Sequence, residues 1–279
     1  MIELYNKISI HTSSNITSTY STSFSLGIRA LAKKHQNPIK AVYGFVRVAD
    51  EIVDTFHQYN KQELLTEFRS ETFKAIERGI STNPVLHSFQ QVVNQYGIER
   101  HLIEAFLESM EMDLYYTEHP LERYNKYIYG SAEVVGLMCL YIFCDGQKSK
   151  YDELESGAKK LGSAFQKINF LRDLKSDIDE RGRLYFPNLK NVMYFDYETK
   201  VSIEKDIESD FREALVAIKQ LPISSRFGVY IAYIYFFQLL KNIKKLKPKS
   251  VLEKRIRVSN PMKVFLFVQG WMRFRFNLL

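Results

Sequence analysis

Glycine and proline are scarce, 12 and 7 among 279 residues, which argues against a loop-rich or all-β chain. Cysteine is scarcer still. Cys139 and Cys144 lie five apart in one apolar stretch, so on a helix their side chains diverge and a disulfide between them is not expected. The expectation is two small buried hydrophobes in a reducing compartment. No apolar run reaches the roughly 18–20 residues that span a bilayer. The most apolar one, Phe227–Phe237, meets Gln238 and reads as a core helix. Met1–Ser14 is mixed and polar, without the apolar centre of a signal peptide. The six histidines form no H-x-x-x-H or H-E-x-x-H pattern, and no G-x-G-x-x-G or P-loop lysine motif occurs. Zinc, dinucleotide and nucleotide sites of those kinds are not expected.

What is present is helical periodicity. With 46% hydrophobic and 25% charged residues, the chain has the composition of a folded globular protein. Apolar spacing predicts helices over 37–57, 61–78, 83–97, 98–118, 124–144, 151–180, 197–220, 226–246 and from 260 onward. Asn37-Pro38 reads as N-cap and first helical residue. Gly79 and Gly182 read as stops. Gly182–Pro187 (GRLYFP) reads as extended. No repeat, linker or alternating strand run appears. The expected fold is all-α, one domain over 1–279, with antiparallel helices around a common core.

Net charge is +7, with Lys241, Lys244, Lys245, Lys247, Lys249, Lys254, Arg255 and Arg257 clumped near the end. Nucleic acid, anionic lipid or an anionic substrate would each meet such a clump, as would plain solvent. No RNA-binding or helix-turn-helix signature accompanies it, so nucleic acid is not expected.

Two acidic stripes carry the chemistry. In "YGFVRVADEIVD", Tyr43, Arg47, Asp50 and Asp54 fall within about 60° of one helix face. In "QKINFLRDLKSDIDE", Gln166, Asn169, Asp173 and Asp177 span about 80°, with Arg172 at the edge. A single D-x-x-x-D is common on solvent-facing helices. Its recurrence with similar neighbours, more than 100 residues later, gives it weight. Paired carboxylates one turn apart suit Mg²⁺ shared with substrate phosphates. A diphosphate so held, with nearby arginine, is a good leaving group. Aromatic walls would shelter a carbocation.

These residues resemble the squalene/phytoene synthases, all-α isoprenoid enzymes built around a central cavity. "TYSTSFSLG" (Thr19–Gly27), "YGFVRVADEIVD" (Tyr43–Asp54), "YIYGSAEVVGLM" (Tyr127–Met138) and "AFQKINFLRDLKSDIDERGRLYFP" (Ala164–Pro187) are similar to that family's motifs, in order. The resemblance implies that Asp50, Asp54, Asp173 and Asp177, with Asn169, bind Mg²⁺, or Mn²⁺ in its place, and two diphosphates. Arg47 and Arg172 would contact phosphate, and Ser21 and Ser23 would close on it. Tyr43, Tyr129, Gln166 and Asn169 would line the cavity near the reacting carbons, and Phe24 would touch substrate. The implied reaction joins two prenyl diphosphates through a cyclopropyl diphosphate, as in carotenoid biosynthesis. NADPH is implied only for a squalene synthase.

Two departures matter. Glu133 stands where many relatives carry a small residue, and an acid in that apolar helix is costly unless paired or near the cavity. Ile28 stands one turn after Phe24, where some C30 synthases carry a bulky aromatic. The smaller side chain favours geranylgeranyl diphosphate and phytoene over the farnesyl-derived squalene or dehydrosqualene. A non-catalytic scaffold of the same fold is the outside alternative. A long hydrocarbon product enters lipid far more readily than water. That implies a cytoplasmic protein in peripheral contact with the inner face of the membrane, through 227–240 or Val264–Leu279, with a desaturase downstream.

Overall fold

A computed structural model describes residues 1–116, 120–187, 189, 195–253 and 255–278, less the side chains of Thr22 and Ser23. Among these the architecture is helical, with no β-strand. The helices are α1 (Ile2–Tyr20), α2 (Thr22–Arg29), α3 (Lys33–Asp54), α4 (Lys61–Arg78), α5 (Pro84–Tyr96), α6 (Arg100–Tyr115) and α7 (Leu121–Ile128). A π-helical turn (Tyr129–Glu133) leads into α8 (Val134–Phe143), followed by α9 (Lys148–Arg181), α10 (Tyr197–Gln220), α11 (Ile223–Lys244), α12 (Pro248–Val251) and α13 (Asn260–Arg275).

Capping chemistry sets most boundaries. Asn60, Asn83 and Asp196 each accept a hydrogen bond from an amide of the following turn. Gly182 adopts φ 63° at the end of α9, a left-handed cap that sends the chain into the extended GRLYFP segment. One boundary differs from expectation by more than a helical turn, the others by up to three residues. The third helix begins at Lys33, with Pro38 inside it, so Asn37-Pro38 is not its start. Pro38 is the sixth residue of α3, past the amides that lack an intrahelical partner, so its missing N–H costs the helix one hydrogen bond, to the Lys34 carbonyl.

The helix α1 carries no apolar stripe. Its inward residues are Ser9, Ser13 and Thr17. Ser9 and Thr17 donate to carbonyls one turn back, and Ser13 bonds Ser88 Oγ at 2.8 Å. These satisfied hydroxyls let α1 approach α3 so closely that a Cβ on Gly44 would lie 2.8 Å from Ser13 Oγ. On the other side of α3, Phe45 stacks on Phe89, centroids 3.9 Å apart, and meets Phe106. Each such ring contributes about 1.5–3 kcal/mol by leaving water, which anchors α3 rigidly.

Helix α9 lies opposite. Gly162 allows contact with the π turn, since a Cβ there would sit 2.6 Å from the Ala132 carbonyl. Helix α11 is long and apolar enough to cross a membrane, at mean hydropathy 1.2, yet 56% of that window is buried inside the fold. Tyr233, Phe236, Leu239 and Leu240 belong to the main core, so α11 acts as a core helix here. Cys144 is buried, Cys139 partly so, and both are free.

Candidate active site

Helices α2, α3, α8, α9, α10 and α11 surround a cavity of about 300 Å³. The residues that α3 and α9 give to it lie before their acids: Ile39, Val42, Tyr43 and Val46 from α3, and Leu154 through Phe165, Gln166 and Asn169 from α9. The wall is almost wholly apolar. Phe24, Tyr43, Phe165 and Phe236 form a ring cluster beside it, with Phe165 and Phe236 stacked at 4.0 Å.

The acids follow one or two turns later on both helices, and arginines join them there. Arg181 bridges the stripes, 2.9 Å from Asp177 and 3.5 Å from Asp54. Arg183 reaches Asp54 at 2.7 Å. Arg47 pairs with Asp50 and Glu51 and stacks on Tyr20. Asp173 receives Arg172 Nε at 3.0 Å and Arg255 Nε at 2.8 Å. Burial, then the neighbouring Asp54 charge, pushes Asp50 up to about 6. Burial, reinforced by Asp173 and opposed by Arg181, pushes Asp177 up to about 7.

Behind Asp54 lies a second polar layer. Asp113 accepts from Tyr127 at 2.7 Å and from Tyr185 at 3.3 Å, while its backbone carbonyl accepts from Arg183 at 3.0 Å. Burial pushes Asp113 up to about 7 against the pull of Arg183. This network holds Arg183 on Asp54.

The other expected residues fall as follows. Ser21 caps α2, accepting from the Phe24 amide at 3.1 Å. Burial raises the Tyr43 pKa. Phe24, Tyr43, Gln166 and Asn169 line the cavity, and Ile28 lies deeper along α2. The Ser23 side chain lies outside the described residues. Tyr129 is not on the cavity wall, contrary to expectation. The wide π turn takes it off the face that carries Val135, Gly136 and Cys139, and Ser131 and Ala132 line the wall instead. Glu133 is also off the wall. It sits in the field of Lys159, Lys160 and Lys167, with its pKa raised by burial.

Sequence reasoning missed Arg181, Arg183, Asp113, Tyr185 and Arg255. It also gave Glu51 no partner, although the i, i+4 spacing from Arg47 offered one. Arg181 stands four residues after Asp177 and continues that stripe, which was a usable signal. Asp113 had none.

The residue set fits a divalent cation. Burial first, with the neighbouring Asp54 and Asp173 charges adding to it, holds the Asp50 and Asp177 carboxyls above the usual carboxylate range, a cost that a divalent cation would relieve. Asn169 Oδ1 is buried with no hydrogen-bond partner, an acceptor with nothing to accept from. Among the described residues no three acids stand together as a ready metal cluster, because arginines hold them in pairs.

A family model for squalene/phytoene synthase matches residues 17–197. The chain belongs to the squalene/phytoene synthase family. Members of this family are prenyltransferases, and they generally use a divalent metal with diphosphate substrates. The chain is 26% identical over 203 residues to 4,4'-diapophytoene synthase of Staphylococcus haemolyticus, a match covering 70% of this chain and 66% of that protein, just under two thirds of its length. It is 24% identical over 281 residues to 15-cis-phytoene synthase of Synechocystis sp., covering 92% and 83%. A crystal structure of a dehydrosqualene synthase in complex with ligand superposes with a TM-score of 0.82, at 21% identity and over 97% and 98% of the two chains. The fold is thus the all-α fold of those synthases.

Proposed function

We propose that the protein joins two prenyl diphosphates head to head, with geranylgeranyl diphosphate preferred and phytoene as product. The observation that carries this reading is the convergence of two acidic stripes, linked by Arg181 between Asp54 and Asp177, beside an almost wholly apolar cavity. Asp50, Asp54, Asp173, Asp177 and Asn169 would hold Mg²⁺. Bound there, the ion supplies charge neutralisation of the departing diphosphate.

The chain's own residues do the rest. Arg47 and Arg172 are already turned toward the acids and can exchange a carboxylate for a phosphate oxygen at little geometric cost. Arg181 must yield its carboxylate oxygens to the ion, and is then free to meet the second diphosphate. Arg183, held by Asp113, keeps Asp54 oriented. Phe24, Tyr43 and Phe165, with Phe236 stacked on Phe165, put aromatic rings on the wall that would exclude water while positive charge develops on the prenyl chain. Tyr43, kept protonated by burial, can orient a diphosphate oxygen with its hydroxyl.

Ile28 on the wall supports the longer substrate. Farnesyl diphosphate is the second reading, favoured by Phe143, Leu154 and Leu221, bulky residues on the cavity wall. The insolubility of either product argues for work in the cytoplasm against the inner membrane face, with a desaturase as consumer. Purified protein with Mg²⁺ and geranylgeranyl diphosphate should yield a C40 hydrocarbon in the lipid extract. Parallel reactions with farnesyl diphosphate, with and without NADPH, separate the C30 outcomes. Absence of any C30 or C40 hydrocarbon overturns the reading.

A further inference from the structure

Charge is unevenly divided along the chain. After Glu213 there are thirteen lysines and arginines and a single acid, Glu253, so the first 213 residues are net negative. This cationic quarter includes α13, which has two unlike faces. Leu266, Phe267, Gly270 and Phe274 turn inward. Leu266 packs with Ile231 and Tyr235, and Phe274 meets Phe227, centroids 5.1 Å apart. A Cβ on Gly270 would lie 2.8 Å from Ile231 Cδ1, so the two helices touch closely.

The outward face is equally apolar and has no cover. Val264, Phe265, Val268, Trp271, Met272 and Phe276 are 45–69% exposed. Their spacing of one, three and four residues gathers them into about 140° of arc. Arg275 lies within this stripe at its far end and Arg273 beside it, both exposed. No acid lies between Glu253 and the end of the chain.

We propose that α13 lies flat on an anionic lipid bilayer, with Phe265, Val268, Trp271 and Met272 in the acyl boundary and Arg273 and Arg275 at the headgroups. An apolar face bordered by cations, with no anions, is the pattern of an interfacial helix. Charge decides against a second copy of this chain as the cover: a symmetric pair would bring two strongly cationic surfaces together. The placement also gives the cavity a short way to lipid. Gly228, Val229 and Ala232 of α11 line the cavity, while Ile231 and Tyr235 of the same helix carry α13. One helix, roughly 10 Å across, separates the two. This deepens the lipid-contact reading above, but exposure and charge alone support it, independent of which substrate is used.

Trp271 is the only tryptophan, so intrinsic fluorescence reports on this face directly. The full chain, without substrate, is titrated with phosphatidylcholine vesicles containing 30% phosphatidylglycerol, on the order used to mimic anionic leaflets. The expected result is a blue shift of Trp271 emission, with quenching by brominated acyl chains. Pure phosphatidylcholine or high salt should weaken binding. R273Q with R275Q should lower partitioning by roughly thirtyfold, from about 1 kcal/mol per cation. F265S with V268S should lower it further while prenyl transfer in detergent is unchanged. No blue shift on anionic vesicles at low salt overturns the proposal. So does a shift that tracks protein concentration instead of lipid, with a dimer by light scattering. Lipid binding without C30 or C40 product would sink the proposed function and leave this inference standing.

Discussion

Helices α3 and α9 each have two chemically different halves. Their earlier turns give the cavity Ile39, Val42, Gly157 and Leu161, and are held by packing. Their later turns hold Asp50, Asp54, Asp173 and Asp177, kept together by arginines. Packing is indifferent to pH and ligand. The arginine pairs are provisional, because a cation and a diphosphate can take over both partners. The inner half therefore defines a shape, and the outer half a set of charges that, on the proposed function, would change partners when substrate binds.

Asp177→Asn gives the sharpest break between the two. Losing one stripe acid should cut turnover by about 10²–10³-fold, the scale of removing one electrostatic contact to the transition state. Thermal stability should hold or rise, since burial already disfavours the Asp177 charge and Arg181 keeps Asp54. Loss of fold by circular dichroism would mean that the outer half is structural after all.

The inner half should behave oppositely. Gly162→Val forces α9 away from the Ala132 carbonyl and should cost about 1–3 kcal/mol in urea unfolding; because Gly162 lines the cavity, the added bulk should also move the product ratio of the protein that remains folded. Ile28→Phe adds bulk to a wall residue that is 4% exposed. It should move the product ratio from C40 toward C30 in the lipid extract, and an unchanged ratio would remove Ile28 as a length determinant.

The α1 helix shows what was legible in the sequence. Its buried face is Ser9, Ser13 and Thr17, polar by type and apolar in use, so hydrophobic periodicity gave no sign of it. The acidic stripes were visible because helical spacing converts directly into a face. Their partners were not: Arg183 and Asp113 meet across 70 residues, a contact that only tertiary packing creates. Tyr129 misled for a related reason. One π turn changes which residues share a face, and nothing in the pattern Y-x-Y announces it.

A pH series sharpens the comparison further. Asp50, Asp113 and Asp177 titrate at about 6, 7 and 7, all above the unfolded value of about 3.9. Native protein thus keeps protons that the unfolded chain has lost. For these three groups, stability is fully present below pH ~4 and is lost as pH rises through about 6–7. A divalent cation competes with the protons at Asp50 and Asp177, so its stabilisation should grow across that window. Melting temperature in EDTA should fall from pH 5.5 to 8, and the gain from Mg²⁺ plus inorganic diphosphate should be larger at pH 8. A gain independent of pH would separate these carboxylates from cation binding.

The smallest effect is expected at Arg255. Its side chain is 54% exposed, so Arg255→Gln should change stability by less than about 1 kcal/mol, measurable in the same urea titration. A larger loss would make the segment leading into α13 part of the outer half.

The shared direction of α3 and α9 has one more consequence. Both helices present their C-terminal turns to the acids, ending at Asp54 and Arg181. Each helix macrodipole adds roughly half a negative charge there, on top of the carboxylates. Arg47, Arg172, Arg181, Arg183 and Arg255 offset the carboxylates at this end, so the added backbone charge would favour a cation bound among the acids. On the proposed function, a diphosphate would bind here more readily together with its cation than alone.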